Sequence, residues 1–433
     1  MSTLSPDNRT GVSRRKFVMT ATLGTAAAVL GLPTAAIAKK TKIVYWSPLD
    51  PKGNNARSKG EAAMIQIFRK QHPDIEVEVQ PVPWQVMGQQ VIQAVLAGTG
   101  PDVAQLSTTN LPDQVGAGTA APLNDFFAKG WSQAQKDDFI LPWDNTVYDG
   151  QKMAAYWNSL LNNEFWYLKD TVNGEPPTNW NDLPAFLKPA ADKYGVPGFL
   201  TGLSQQGNAI EFTDWLIPAL WACGADYVQP SGAVGFANAN GAKPFEWLLE
   251  MIHKYKMTPD SIISLTRDNV LDAIKGRKTI STILTSNIVS PARASLGNAL
   301  GLAKQPGPNG PCSAFASGKF LMMTKSCKER EAAGLFIEAL VSQEAQIANA
   351  KIAKEIPARK SVVKDPWFST PEAADLKFAL DYMSASPHVF KYPKRTDYLQ
   401  TRIALAAQKM MTGHPVRQAL QDVADEWETA RKA

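Results

Sequence analysis

Several short stretches of the 433-residue chain set an aromatic ring beside amides and acids: Trp46 with Asp50, Trp84, Trp143-Asp144-Asn145, Tyr156-Trp157-Asn158 and Trp180-Asn181-Asp182. A ring face covers an apolar surface while neighbouring amides and carboxylates read directional polar groups, a combination that suits a polyhydroxylated ring such as a sugar. Covering about 60 Å² of sugar C–H surface is worth on the order of 1.5 kcal/mol. Two or three such platforms plus hydrogen bonds would reach micromolar binding. The same residue type also fills cores. Trp131, Trp166, Trp221, Trp247 and Trp427 sit in apolar patterns of helical period and are expected to be buried there.

Other chemistries find less support. Residues 116–121 spell GxGxxA, but the preceding residues read as helix and Pro122 stops the helix a dinucleotide site needs. Gly318-Lys319 is followed by Phe320, so it is no P-loop. No GxSxG elbow occurs, and no pair among the many carboxylates is singled out for glycosidase chemistry. The four histidines and three cysteines (Cys223, Cys312, Cys327) are scattered without metal-ligand spacing, so neither metal nor cofactor is expected. Two of the cysteines could pair in an oxidising compartment.

The elements that must position these residues begin at residue 42. A strand over 42–46, an amphipathic helix over 57–71, the alternating strand IEVEVQ (75–80), a helix over 84–97 and a third strand over 102–106 predict a parallel sheet with right-handed crossovers. Ligands of such sheets sit beyond the carboxyl ends of the strands. Those ends carry Trp46 to Asp50, Trp84, and Ser107 to Asn110. Ser107 and Asn110 could equally cap the helix that follows. Residues 163–190 read as a helix, a Pro-rich turn and a second helix. Further helices are expected over 214–223, 244–255, 271–275, 328–342, 398–411 and 415–431, with a strand over 280–284.

Ahead of these elements, Ser13-Arg14-Arg15-Lys16-Phe17-Val18, a weakly apolar run over 19–32 and Ala36-Ile37-Ala38 resemble a twin-arginine export signal, residues 1–38. The leader carries a net +3, so removing it lowers the formal charge from +5 to +2. The nearly neutral remainder has no block of clustered Lys/Arg, which argues against nucleic-acid or anionic-membrane binding. Export would place it in the periplasm as a soluble protein.

An ordered set of segments then resembles the family 1 extracellular solute-binding proteins, the periplasmic receptors of ABC importers for sugars and related solutes. The segments are IVYWSPLD, EAAMIQIFRKQHPDIEVEVQPVPWQVMGQQVIQAVLAGTGPDVAQL, AAPLNDFF, LLNNEFWYLKDTVNGEPPTNWNDL, PGPNG, KEREAAGLFIEALVSQEAQ and IPARKSV. The resemblance implies an α/β, two-lobe periplasmic-binding-protein fold. Each lobe would be a mainly parallel sheet flanked by helices, with a hinge and an interlobe cleft that closes on the solute. It divides the chain into lobe 1 (39–153 plus 276–318) and lobe 2 (154–275 plus 319–433). Carried over by position, the ligand contacts are Trp46, Asp50, Trp84, Ser107, Asn110, Trp157, Asn158, Trp215, Ser286, Asn287, Ser317, Gly318 and Arg359. The family's glycine pair with tryptophan is replaced here by Ser317-Gly318-Lys319, and its turn tryptophan near Asn287 is absent. The implied function is capture of a sugar or oligosaccharide by a monomeric, non-enzymatic receptor that delivers it to permease subunits. A polyol or glycerol phosphate is the alternative, favoured if Arg and Lys cluster in the cleft. A twin-arginine-exported periplasmic enzyme is a further alternative.

Overall fold

The computed structural model describes residues 40–432, so the expected leader, 1–38, lies outside the described residues. The opening run folds as its pattern predicts. Strand Thr41–Ser47 pairs in parallel with Ile75–Pro81 on one side and Val103–Ser107 on the other. Helices Ala56–Gln71 and Trp84–Leu96 form the crossovers. Asn55 starts the first helix by accepting the Ser58 N–H on its side chain.

Side chains alternate across this sheet and build a core on each face. Ile43, Tyr45, Val103, Leu321 and Met323 point to the face covered by Phe68 and Phe336. Trp46, Ala104, Leu106, Phe320 and Met322 point to the opposite face, under Met87 and Val91.

The sheet continues with long strand Ala314–Met323, antiparallel to Val103–Ser107, then Ala155–Leu161 and Ile356–Pro357. Gly318 lies where the long strand meets its neighbour closely: a Cβ there would stand 2.4 Å from the Asn158 carbonyl oxygen. No larger residue fits without moving backbone.

A second sheet runs in the order Leu300–Lys304, Glu164–Leu168, Ser281–Leu284, Phe199–Leu200, mostly antiparallel. Both sheets are therefore mixed, with the parallel register confined in the first to its opening strands and Pro387–Val389. The second sheet carries the larger core, including Trp166, Trp215, Trp247 and Trp427. Glu164–Leu168 was expected to be helical. Its five residues are all buried, so burial on both faces erases the alternation that marks a strand.

Strand pairing distributes the returning segments between the two sheets. Ser281–Leu284 and Leu300–Lys304, assigned with 276–318 to the first lobe, belong to the second sheet, and Ala314–Met323 and helix Arg330–Leu340 pack with the first. The chain passes from the first sheet to the second at Asn162-Asn163, returns after Lys304, and leaves again after Val389. These passages are stitched together. Asn163 donates its side-chain N–H to Gln305 Oε1 and the Ser313 carbonyl, both at 3.0 Å, and its Oδ1 accepts the Phe315 N–H at 2.8 Å. Asn162 and Ser317 are hydrogen-bonded through their side chains at 2.8 Å. The three cysteines are buried and unpaired.

Candidate functional site

Loops leaving the carboxyl ends of the three parallel strands face the second sheet across a cleft. An inner cavity of about 150 Å³ takes Leu49, Trp84, Thr108 and Ser317 from the first side and Asp214, Arg267, Thr285 and Asn287 from the second. An outer cavity of about 400 Å³ adjoins it, sharing Trp84, Ser107, Thr109, Ile210 and Arg267. Volumes of this order accommodate small organic ligands.

Trp84 begins the helix that follows the second strand and is half-buried. It makes no ring contact with another described aromatic residue, and it lines both cavities. Opposite, Asn287 Oδ1 and Thr285 Oγ1 are buried without a hydrogen-bond partner among the described residues. Buried polar atoms are nearly always partnered. Both residues line the inner cavity, so a modest turn of either side chain would offer its polar atom to a solute's hydroxyl group or to water there.

Beneath the cleft lies a charged cluster. Glu355 is fully buried, accepting Arg57 Nε–H at 2.9 Å and Lys319 Nζ–H at 3.1 Å, while Asn349 donates to its other oxygen. Burial alone would raise the Glu355 carboxyl, but Lys319 and Arg57 outweigh it and hold it at about 2. Burial, followed by the like charge of Arg57, lowers Lys319 to about 8. Glu61, also buried, accepts from Tyr45 and Ser47, yet burial still lifts it to about 7. Arg57 and Lys319 both reach the inner cavity.

Of the expected contact residues, Trp84, Ser107, Asn110, Asn287 and Ser317 line the cleft. Asn110 occupies the cap position of helix Leu111–Gly116 without capping it; its Oδ1 accepts the Ser107 N–H instead. The other expected residues lie elsewhere. Trp46 falls on the sheet face opposite Tyr45, packs there, and donates its indole N–H to Gln80, its register partner. Asp50 is exposed and closes a turn by accepting the Lys52 N–H. Trp157 and Trp215 are fully buried, the latter stacked between Phe212 and Trp247.

Asn158 is buried in the sheet, its Oδ1 accepting the Lys319 N–H. Ser286 accepts the Leu161 N–H and lines a separate cavity behind the chain crossings. Gly318 contributes its carbonyl to Thr108 N–H. Arg359 pairs with Asp138 at 2.7 Å over the rings of Trp131 and Phe139. Trp180 and Trp143 likewise sit in aromatic clusters.

Arg57, Asp214, Arg267, Thr285 and Lys319 were not among the expected contacts. Nothing local marks Arg57 or Lys319: Glu355, which holds them, is 298 residues from Arg57.

Residues 48–347 match the bacterial extracellular solute-binding protein family. The chain belongs to that family. Among relatives of this solute-binding protein, a Bacillus subtilis galactooligosaccharide-binding protein is 24% identical over 368 residues, covering 83% of each chain. A Brucella abortus (strain 2308) binding protein is 24% identical over 309 residues, 70% of this chain and 73% of the relative. The fold matches maltose-bound T. maritima MalE3, with a TM-score of 0.74 and 21% identity over 90% of this chain and all of that one. It also matches the GacH receptor of Streptomyces glaucescens, with a TM-score of 0.76 and 18% identity over 91% of this chain and 99% of that one. This solute-binding protein therefore has the two-lobe architecture of those receptors.

Proposed function

We propose that this solute-binding protein captures a sugar or oligosaccharide in the cleft between its two sheets and delivers it to the permease of an ABC importer. The carrying observation is an interlobe cavity that combines the Trp84 ring with the partnerless Asn287 Oδ1 and Thr285 Oγ1. One wall covers C–H surface and the other reads hydroxyls, so both lobes must touch the solute at once. That is the differential contact that favours a closed state. The sugars bound by the relatives support the reading. The lobes follow the sheets: 40–161 with 314–389, and 164–304 with 390–432, hinged at the three crossings. The twin-arginine leader, periplasmic location and monomeric state complete the proposal.

A thermal-shift screen of mono- and oligosaccharides, neutral and acidic, against polyols and glycerol phosphate tests it. A specific ligand at about 100 times its Kd adds about 2.7 kcal/mol of stability. If no saccharide shifts the melt while glycerol phosphate or a non-sugar does, the sugar reading is wrong.

A further inference from the structure

The charges around the cleft are unevenly distributed. The inner cavity is lined by three cationic side chains, Arg57, Arg267 and Lys319, and Asp214 is the one carboxylate among its described lining residues. The outer cavity instead carries Asp268 and Asp397 with Arg267. Behind the inner wall a single carboxylate, Glu355, serves both Arg57 and Lys319. It receives Arg57 through Nε alone, so the fork of that guanidinium is not spent on it. Glu61 stands close, but burial raises it to about 7, so at neutral pH it supplies only part of a second negative charge. Lys319 is 3% exposed and crowded by Arg57. Arg267, the first residue of helix Arg267–Lys275, is half-buried and forms no ion pair with a described residue.

We propose that the inner cavity is an anion subsite and that the solute is an acidic sugar, with its carboxylate or phosphate between Arg267 and the Arg57/Lys319 pair. This rests on the sugar reading of the same cleft. Guanidinium and ammonium groups converging in a partly desolvated pocket hold an anionic oxygen group by charge-assisted hydrogen bonds. A neutral hydroxyl in that place would leave the excess positive charge uncompensated. The hydroxylated remainder then extends past Trp84 toward Asp268 and Asp397, which accept from hydroxyls and would repel a second anion. The solute's orientation follows: charged end inward, neutral end outward.

Isothermal titration calorimetry at fixed pH and ionic strength tests this with matched pairs: galactose against galacturonate, glucose against glucuronate, and glucose against glucose 6-phosphate, with inorganic phosphate alone as a further arm. The proposal predicts at least a tenfold preference for the acidic member of a pair. The uronate and phosphate arms distinguish carboxylate from phosphate as the anionic group. Arg267→Gln, at the half-buried cleft wall, should cut the preference to threefold or less, and Lys319→Met should do the same if it folds. Neutral sugars binding as tightly as their acids would overturn the anion subsite and leave the sugar reading intact. So would an acid preference untouched by Arg267→Gln. Binding of inorganic phosphate with no sugar, neutral or acidic, would overturn both.

Discussion

Replacing Glu355 by Gln keeps the side chain's volume and removes one negative charge from between two cations. Two unit charges 3.1 Å apart, the Lys319–Glu355 separation, attract by about 5 kcal/mol at an effective dielectric constant of 20. Arg57 contributes a similar attraction at 2.9 Å. The variant no longer buries the carboxylate charge, which offsets part of this, and breaking a buried pair from one side costs about 3–5 kcal/mol in practice. Spread over an unfolding entropy of about 2.1 cal/mol/K for each of about 390 residues, that loss lowers Tm by roughly 4–6 °C.

The cost should depend on pH with a definite sign. The Glu355 carboxyl lies at about 2 when folded, below its ordinary 4.5. Its stabilisation is therefore fully present above pH 4.5 and disappears as pH falls through 2. Thermal or urea melts of both proteins at pH 7 and at steps down to pH 2.5 should show the gap narrowing with acid. A loss under 1 kcal/mol at pH 7, or a gap that widens as pH falls, would refute the view that Glu355 anchors the cations beneath the cleft.

Other consequences separate binding from packing. Trp84→Ala should weaken solute affinity at least tenfold with little effect on the unliganded melt, whereas Trp157→Ala, fully buried, should cost about 3–5 kcal/mol of stability; parallel titrations and denaturant curves distinguish them. Trp46→Ala should behave as a packing substitution, its affinity unchanged among molecules that fold. Glu61 has a raised folded value of about 7, so its contribution is present below pH 4.5 and is lost as pH rises through 7. Glu61→Gln should flatten the stability profile over that window in melts taken at half-unit steps. Asn163→Ala leaves the Phe315 N–H without its acceptor and should cost about 1–3 kcal/mol; a neutral result in urea melts would show that the crossings hold together without that amide.

The opening half of the first sheet was legible because IEVEVQ alternates and its flanking helices carry apolar faces. Trp46 shows that a correctly read strand does not fix which face a side chain takes. It is one residue from Tyr45, and a period of two sends the two rings to opposite faces. Which face meets helix Trp84–Leu96 and which the Glu61 pocket is decided by the third dimension, not by the strand's end. Trp84 needed no such information, since it follows its strand through Pro83 and opens a helix at the cleft. Glu164–Leu168 was misread because five consecutive buried residues carry no period at all. The lobe division depended on which sheet receives each returning strand, and local sequence does not encode that choice. Lys319 lies mid-strand and Arg57 on a helix, positions where either residue could have faced solvent, and only a distant carboxylate makes them a pair.

A crystal structure of the protein with a saccharide selected from the screen decides whether the solute sits between the two sheets against Trp84 and the inner cations. Ring density is expected over the Trp84 indole, with hydroxyls within hydrogen-bond distance of Asn287 Oδ1 or Thr285 Oγ1 and any anionic group directed at Arg267 and Lys319. A saccharide bound in the cavity behind the crossings, against Arg293 and Glu372, with the interlobe cleft unchanged, would contradict it.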